Sequence, residues 1–176
     1  IVEAYIKSGD LPHYKASLET AGIAVLGGKG AASLSGVWEE FLAQAQAGDY
    51  IAIQAFLRPQ EEIAAGLEEL REKLRARTKL AVTVGFGPRF LHSTGQLHKG
   101  DRGNGLFIQL TSRDPEDVPI PREAGQAAAQ MSFSVLKLAQ ALGDRQALVE
   151  AGRRVVTFHI EGEEETGLRR LSEALD

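Results

Sequence analysis

The chain has 176 residues, 43% of them hydrophobic and 25% charged, which suits one soluble globular domain rather than a disordered or membrane-spanning chain. A formal net charge of −4 and a pI near 5.6 argue against a general nucleic-acid binder, which carries a concentrated basic footprint. The lack of cysteine excludes disulfides, thiolate metal sites and Cys nucleophiles and suits a cytoplasmic home, and no apolar run approaches the roughly 20 residues of a membrane helix.

The start Ile1-Val-Glu-Ala-Tyr5 lacks the basic and apolar blocks of a signal peptide, and its lack of Met predicts a piece of a longer chain or a leader outside the sequence. Residues 1–30 are weakly patterned and read as a lead-in, with a short amphipathic start and a possible strand at Ile23–Leu26. Gly27-Gly-Lys-Gly30 lacks the spacing of a phosphate-binding P-loop and reads as a turn. Leu34, Val37, Trp38, Phe41, Leu42 and Ala45 recur at helical spacing, with Ser33 as N-cap and Gly48-Asp49 as the stop. Tyr50–Leu57 is a nearly continuous apolar run, the pattern of a strand covered on both faces. Pro59 opens a second helix, with Glu61 and Glu62 in its first turn, Ile63, Leu67, Leu70 and Leu74 as its stripe, and Arg75 and Arg77 in its last turn.

Leu80–Val84 and Leu106–Leu110 are the next strands. A proline-bearing loop then leads to a long helix, roughly Gly125–Leu142, which Gly143-Asp144 interrupts before a shorter helix over Gln146–Ala151. Val155–Ile160 is the last strand and Glu163–Leu175 a terminal amphipathic helix. The basic clusters Lys73–Lys79 and Arg153-Arg154 read as compensation of helix dipoles. Strands separated by helices predict an α/β fold, a parallel sheet with helices on both faces.

The segment Gly85-Phe-Gly-Pro-Arg-Phe-Leu-His-Ser-Thr-Gly-Gln-Leu-His-Lys-Gly100 is where chemistry is expected. It leaves the carboxyl end of a predicted strand, where open α/β sheets bind ligands. Its glycines permit sharp turns and close approach to a ligand. His92 and His98 have the wrong spacing for a paired metal site on one helix face, so no metal is expected, and an acid/base or hydrogen-bonding role suits imidazole near neutral pH. The competing reading is a packed histidine bonded to backbone. Ser93 and Thr94 either hold a phosphate at a helix N-terminus or cap that helix, and capping is expected for at least one. Arg89 and Lys99 supply positive charge for an anionic ligand, or are simply solvated. No Gly-x-Ser-x-Gly, His-Glu-x-x-His or Gly-x-Gly-x-x-Gly motif supports a hydrolase, zinc-protease or dinucleotide reading.

This segment resembles the phosphoglucose isomerase portion of bacterial bifunctional transaldolase/glucose-6-phosphate isomerases. Ala139-Gln-Ala-Leu-Gly-Asp144 and Gly152-Arg-Arg-Val155 are similar to that family too, over about Asp49 to Ile160. Gly100-Asp-Arg-Gly-Asn-Gly105 departs from it, where the family tends toward Gly-Gly-Pro-Asn-Thr-Gly. The resemblance implies a sugar isomerase (SIS) domain, a five-stranded flavodoxin-like three-layer sandwich over residues 31–176, the second of the two in a complete isomerase. It implies interconversion of glucose 6-phosphate and fructose 6-phosphate without a cofactor, and a preceding SIS domain, an N-terminal transaldolase domain or a second copy of the chain as partners.

By the same resemblance His92 takes the place of the histidine that opens the sugar ring, and Gln96 and His98 match the Gln and His that follow it. Gln146-Ala-Leu-Val-Glu-Ala-Gly-Arg153 is similar to the family's lysine-bearing helix, so Gln146 faces substrate and Arg153, or its rival Lys99, supplies the cation. Glu72 is nearest to the family's glutamate base, though off by one position. The alternatives are a sugar-phosphate-binding domain without catalysis and a packing module. A catalytic domain needs a placed carboxylate, and a packing module would leave the His92 loop without a cleft.

Overall fold

A computed structural model describes residues 1–121, 123, 125 and 129–176. In chain order the elements are α1 (Val2–Ser8), β1 (Leu18–Thr20), β2 (Ile23–Leu26), α2 (Leu34–Leu42), β3 (Tyr50–Phe56), α3 (Glu61–Thr78), β4 (Ala81–Phe86), α4 (Thr94–Gly100), β5 (Gly105–Ser112), β6 (Pro119–Pro121), β7 (Ala129–Ser132), α5 (Phe133–Glu150), β8 (Arg154–Ile160) and α6 (Glu164–Glu173). A 3-10 turn, Arg89–His92, precedes α4. The main sheet has the order β1-β2-β8-β5-β3-β4, in which β8, β5, β3 and β4 run parallel and β1 and β2 are antiparallel.

The fold is α/β, a three-layer sandwich with a mainly parallel sheet. It has six strands where five are expected, because the lead-in folds back on itself as β1 and β2 and pairs with β8 from Ile23↔Ile160 to Leu26↔Thr157. That stretch therefore belongs to the sheet. The long helix also differs from its expected span. Ala129–Ser132 pairs with Pro119–Pro121 as a strand, and the helix starts at Phe133, where the Ser132 hydroxyl accepts from the Val135 N–H. Residues 126–128 of the expected helix lie outside the described residues. Gly143-Asp144 does not interrupt α5, because Asp144 is buried at 4% exposure and anchors the helix through Lys99.

Alternation along each strand divides the core between two faces. Ile51, Ile53, Leu106, Ile108, Val156 and Phe158 meet α2, α3 and α6 on the first face. The α3 stripe Ile63, Leu67, Leu70 and Leu74 is buried there, and the Trp38 ring lies 4.7 Å from that of Phe158 while its N–H donates to Leu171 O at 3.0 Å. The second face carries Ala52, Phe107 and Leu148 beside Phe56, Phe90 and Ala141. It also carries a transverse polar row, since Gln54 opposes Gln109 and Gln109 opposes Thr157 in register.

The connections set where a site can form. α3 joins β3 to the edge strand β4 over the first face, while α4 and α5 cover the second. The chain segments leaving β3 and β5, which are neighbours, thus lead to opposite faces, the arrangement that opens a crevice beyond the carboxyl ends in this class of sheet.

Candidate functional site

The Gly85–Gly100 segment leaves β4 at the sheet's edge, then folds over the second face. Gly87 brings the backbone against the Phe56 ring, which a side chain there would approach to 2.5 Å. Phe90 follows, edge-on to Phe56 with centroids 5.5 Å apart, and pins the turn to the core. This leaves Arg89, His92, Ser93 and Thr94 exposed at the carboxyl side of the edge strand. Arg89 stacks over Phe86, its guanidinium carbon 5.8 Å from the ring centroid. His92 makes no side-chain hydrogen bond or ion pair with a described residue, so its imidazole is free to meet a ligand.

Capping does not hold Ser93 or Thr94. Ser93 occupies the N-cap position of α4 without a side-chain cap bond, and its hydroxyl donates back to Phe90 O at 3.3 Å. Gln96 is also turned to the chain itself, its amide donating to Leu91 O at 3.1 Å.

The rest of the segment is structural. His98, expected at substrate, is buried at 7% exposure between α4 and the sheet, with Nδ1 3.2 Å from Gln54 Nε2 and the Phe107 ring 5.1 Å away. Burial pushes its pKa down, while the Asp144 and Asp101 carboxylates pull the other way. Lys99 Nζ lies 2.5 Å from Asp144 Oδ1 and so neutralises a buried carboxylate. Arg153 donates to the carbonyls of His98, Lys99 and Asp101 at 3.2, 2.8 and 2.7 Å and pairs with the Asp101 carboxylate at 3.0 Å. It thereby closes the carboxyl end of α4, where the helix leaves carbonyls unpaired. Both cations expected at the sugar are thus committed within the fold.

Glu72 and Gln146 are not brought to His92. Glu72 lies on the solvent side of α3, 2.8 Å from Arg71, and α3 packs on the sheet's first face whereas the histidine loop covers the second. Gln146 is exposed on α5 and donates to Glu150 at 2.8 Å. Among the described residues, no three His, Asp or Glu side chains group as a metal ligand set.

A second polar group stands at the carboxyl ends of the central strands. Glu164, buried in the first turn of α6, accepts from the Arg58 N–H at 3.2 Å, from Arg58 Nε at 3.4 Å and from the Ser112 hydroxyl. It plugs the space between the ends of β3 and β5. On the other face Thr111 Oγ1 meets His159 Nδ1 at 2.9 Å, and burial, aided by the Arg113 and Lys137 cations, lowers the His159 pKa. These residues are absent from the sequence expectations, yet they leave a signal. In Val155–Ile160 the polar Thr157 and His159 alternate with Val156, Phe158 and Ile160, so beyond Val155 the second face of β8 is polar.

No known family model matches the chain, and no curated protein sequence does. Among solved structures the chain is similar to a hypothetical protein from Thermus thermophilus, at 20% identity and a TM-score of 0.59 over 81% of this chain. That likeness speaks to the fold alone. The chain spans 39% of the length of the solved protein. Among the described residues no helix is long and apolar enough to cross a membrane.

Proposed function

We propose that this chain is the second SIS domain of a cytoplasmic glucose-6-phosphate isomerase and contributes an acid/base histidine and a cationic rim to a site completed outside it. One observation supports this above the others: His92 is exposed and unbonded to any described residue, on the same turn as exposed Arg89 and beside Ser93 and Thr94. A neutral imidazole so placed can take a proton from the hydroxyl of a cyclic sugar, and its protonated form can give one to the ring oxygen. Arg89 suits the anionic phosphate of such a sugar. The carboxylate that moves the proton between C1 and C2, and the cation that stabilises the enediolate, then come from a preceding SIS domain or a second copy, since Glu72, Lys99 and Arg153 are held elsewhere.

That same separation favours a second reading, a sugar-phosphate-binding domain without catalysis. The two divide on turnover. In the first, the chain alone binds fructose 6-phosphate with perturbation of the His92 resonances and does not turn it over, while the longer protein isomerises it and loses the activity on His92→Ala. Turnover by the chain alone at the rate of a typical enzyme, on the order of 10 per second, contradicts the half-site. A longer protein that binds the sugar phosphate at His92 without isomerising it selects the second reading, and an unmoved His92 overturns both.

A further inference from the structure

The carboxyl ends of the central strands carry charges that the fold settles unevenly. Phe56 of β3 opposes Thr111 of β5, and two residues beyond that pair stand Arg58 and Arg113. Arg58 is met by the buried Glu164 carboxylate at 3.4 Å, and Lys137, in the second turn of α5, by Asp114 at 2.6 Å. Arg113 is exposed and makes no ion pair or hydrogen bond with a described residue.

His159 lies beside it. Thr111 opposes His159 in register, and on the sheet's second face Thr111 Oγ1 meets His159 Nδ1 at 2.9 Å. Arg113 and Glu161 are the next residues of that face beyond the two strand ends. Their charges reach the imidazole. Burial and then the Arg113 cation lower its pKa, Glu161 opposes them, and Lys137, paired already, adds the least. The ring is therefore neutral near neutral pH. With Thr111 donating to Nδ1, its proton sits on Nε2. Nε2 has no partner among the described residues and is not sealed from solvent. Seating α5 does not require this polar end, because Leu148 packs the helix against Ala52, Phe107 and Val155 at the other end of the face.

From the uncommitted Arg113 guanidinium and the His159 ring that Thr111 holds beside it, we infer a second site, one that takes the oxyanion of a small metabolite, a phosphate or a carboxylate group. Guanidinium presents two parallel N–H donors to such a group and the imidazole Nε2–H adds a third. The site stands at the carboxyl ends of adjacent parallel strands, the edge at which open α/β sheets bind ligands. His159 is three strand spacings from β4, about 14 Å, so the site is separate from His92 and independent of the reading given to it.

The test follows the His159 ring by NMR while the chain is titrated with inorganic phosphate at low ionic strength, its signals assigned by their loss in His159→Phe. The free ring should be the Nε2–H tautomer. Phosphate should shift it saturably, where chloride of equal ionic strength does not, and should raise the His159 pKa, since a bound anion favours the imidazolium. Arg113→Ala changes only an exposed side chain and should weaken phosphate binding by roughly tenfold or more, the size of a lost charge-assisted hydrogen-bond pair. The same variant should raise the His159 pKa without phosphate, because it removes a neighbouring cation. Thr111→Val, which frees the ring, should weaken binding less, and Arg75→Ala, on α3 across the sheet, should leave it unchanged. Phosphate binding more tightly than acetate identifies a phosphate group as the ligand, and acetate binding as tightly identifies a carboxylate. The opposite tautomer, a His159 resonance unmoved by both anions, or wild-type binding retained in Arg113→Ala overturns the site.

Discussion

His92 and His98 lie on one connection, six residues apart, and have opposite surroundings. His92 sits on an exposed turn with no described partner, whereas His98 is sealed under α4 against Gln54, Phe107, Tyr50 and Phe90. The division continues around them. Arg89 is free at the rim, but Lys99 is paired to buried Asp144. One half of the segment presents side chains to solvent, and the other half uses the same residue types to bolt α4 onto the sheet. Residue type and spacing in a polar loop therefore do not divide chemistry from architecture. The partner supplied by distant chain does.

Substitutions on the two halves should separate cleanly. The largest effect is expected at Lys99. Lys99→Met leaves the Asp144 carboxylate buried without its cation and should cost about 3 kcal/mol or more in denaturant unfolding. His92→Ala and Arg89→Ala, by contrast, should stay within about 0.5 kcal/mol. Comparable losses on both halves would erase the distinction.

His98→Ala should follow at about 2–3 kcal/mol, from lost ring packing and an unpaired Gln54. His98 also predicts a pH dependence. Burial lowers its folded pKa below the ordinary value of 6.5, so the unfolded chain binds the proton first. Its contribution is therefore present above pH 6.5 and is lost as pH falls below that toward the folded pKa. His159, lowered in the same direction, adds to the slope. Unfolding measured between about pH 7 and pH 5.5 should show stability falling on acidification, and His98→Phe or His159→Phe should flatten the fall.

The smallest effect is expected at Arg89. Arg89→Ala should weaken fructose 6-phosphate binding by a few-fold, about 1 kcal/mol, without moving the unfolding transition. A loss of stability there would place Arg89 with the structural half.

Much of the fold is legible in the sequence because local signals and burial agree. The acidic first turn of α3, its basic last turn and its four-residue stripe all occur as the pattern predicts, while the helix starts at Glu61, two residues after the Pro59 expected to open it. The run Tyr50–Leu57 reads as a covered strand because β3 is buried on both faces. The β1–β2 pair is not legible in this way: each strand is short, and their place beside β8 depends on pairing across more than a hundred residues. The start of α5 is obscured because 129–132 pairs as a strand with residues around Ile120, a contact that local propensity does not encode. At the site, the exposed turn can be located from its glycines and polar cluster. The fates of Lys99 and Arg153 cannot, since Asp144 lies forty-five residues beyond Lys99 and Arg153 closes a helix more than fifty residues before it.

Ring chemistry at the free histidine is tested most directly by comparing His92→Ala with wild type in the longer protein, on a cyclic sugar phosphate and on an open-chain analogue. A general acid/base contribution is typically about 100- to 10,000-fold, so the cyclic substrate should lose turnover on that scale while the open-chain analogue loses far less. Equal losses on both substrates, or no loss on either, would contradict that role for His92.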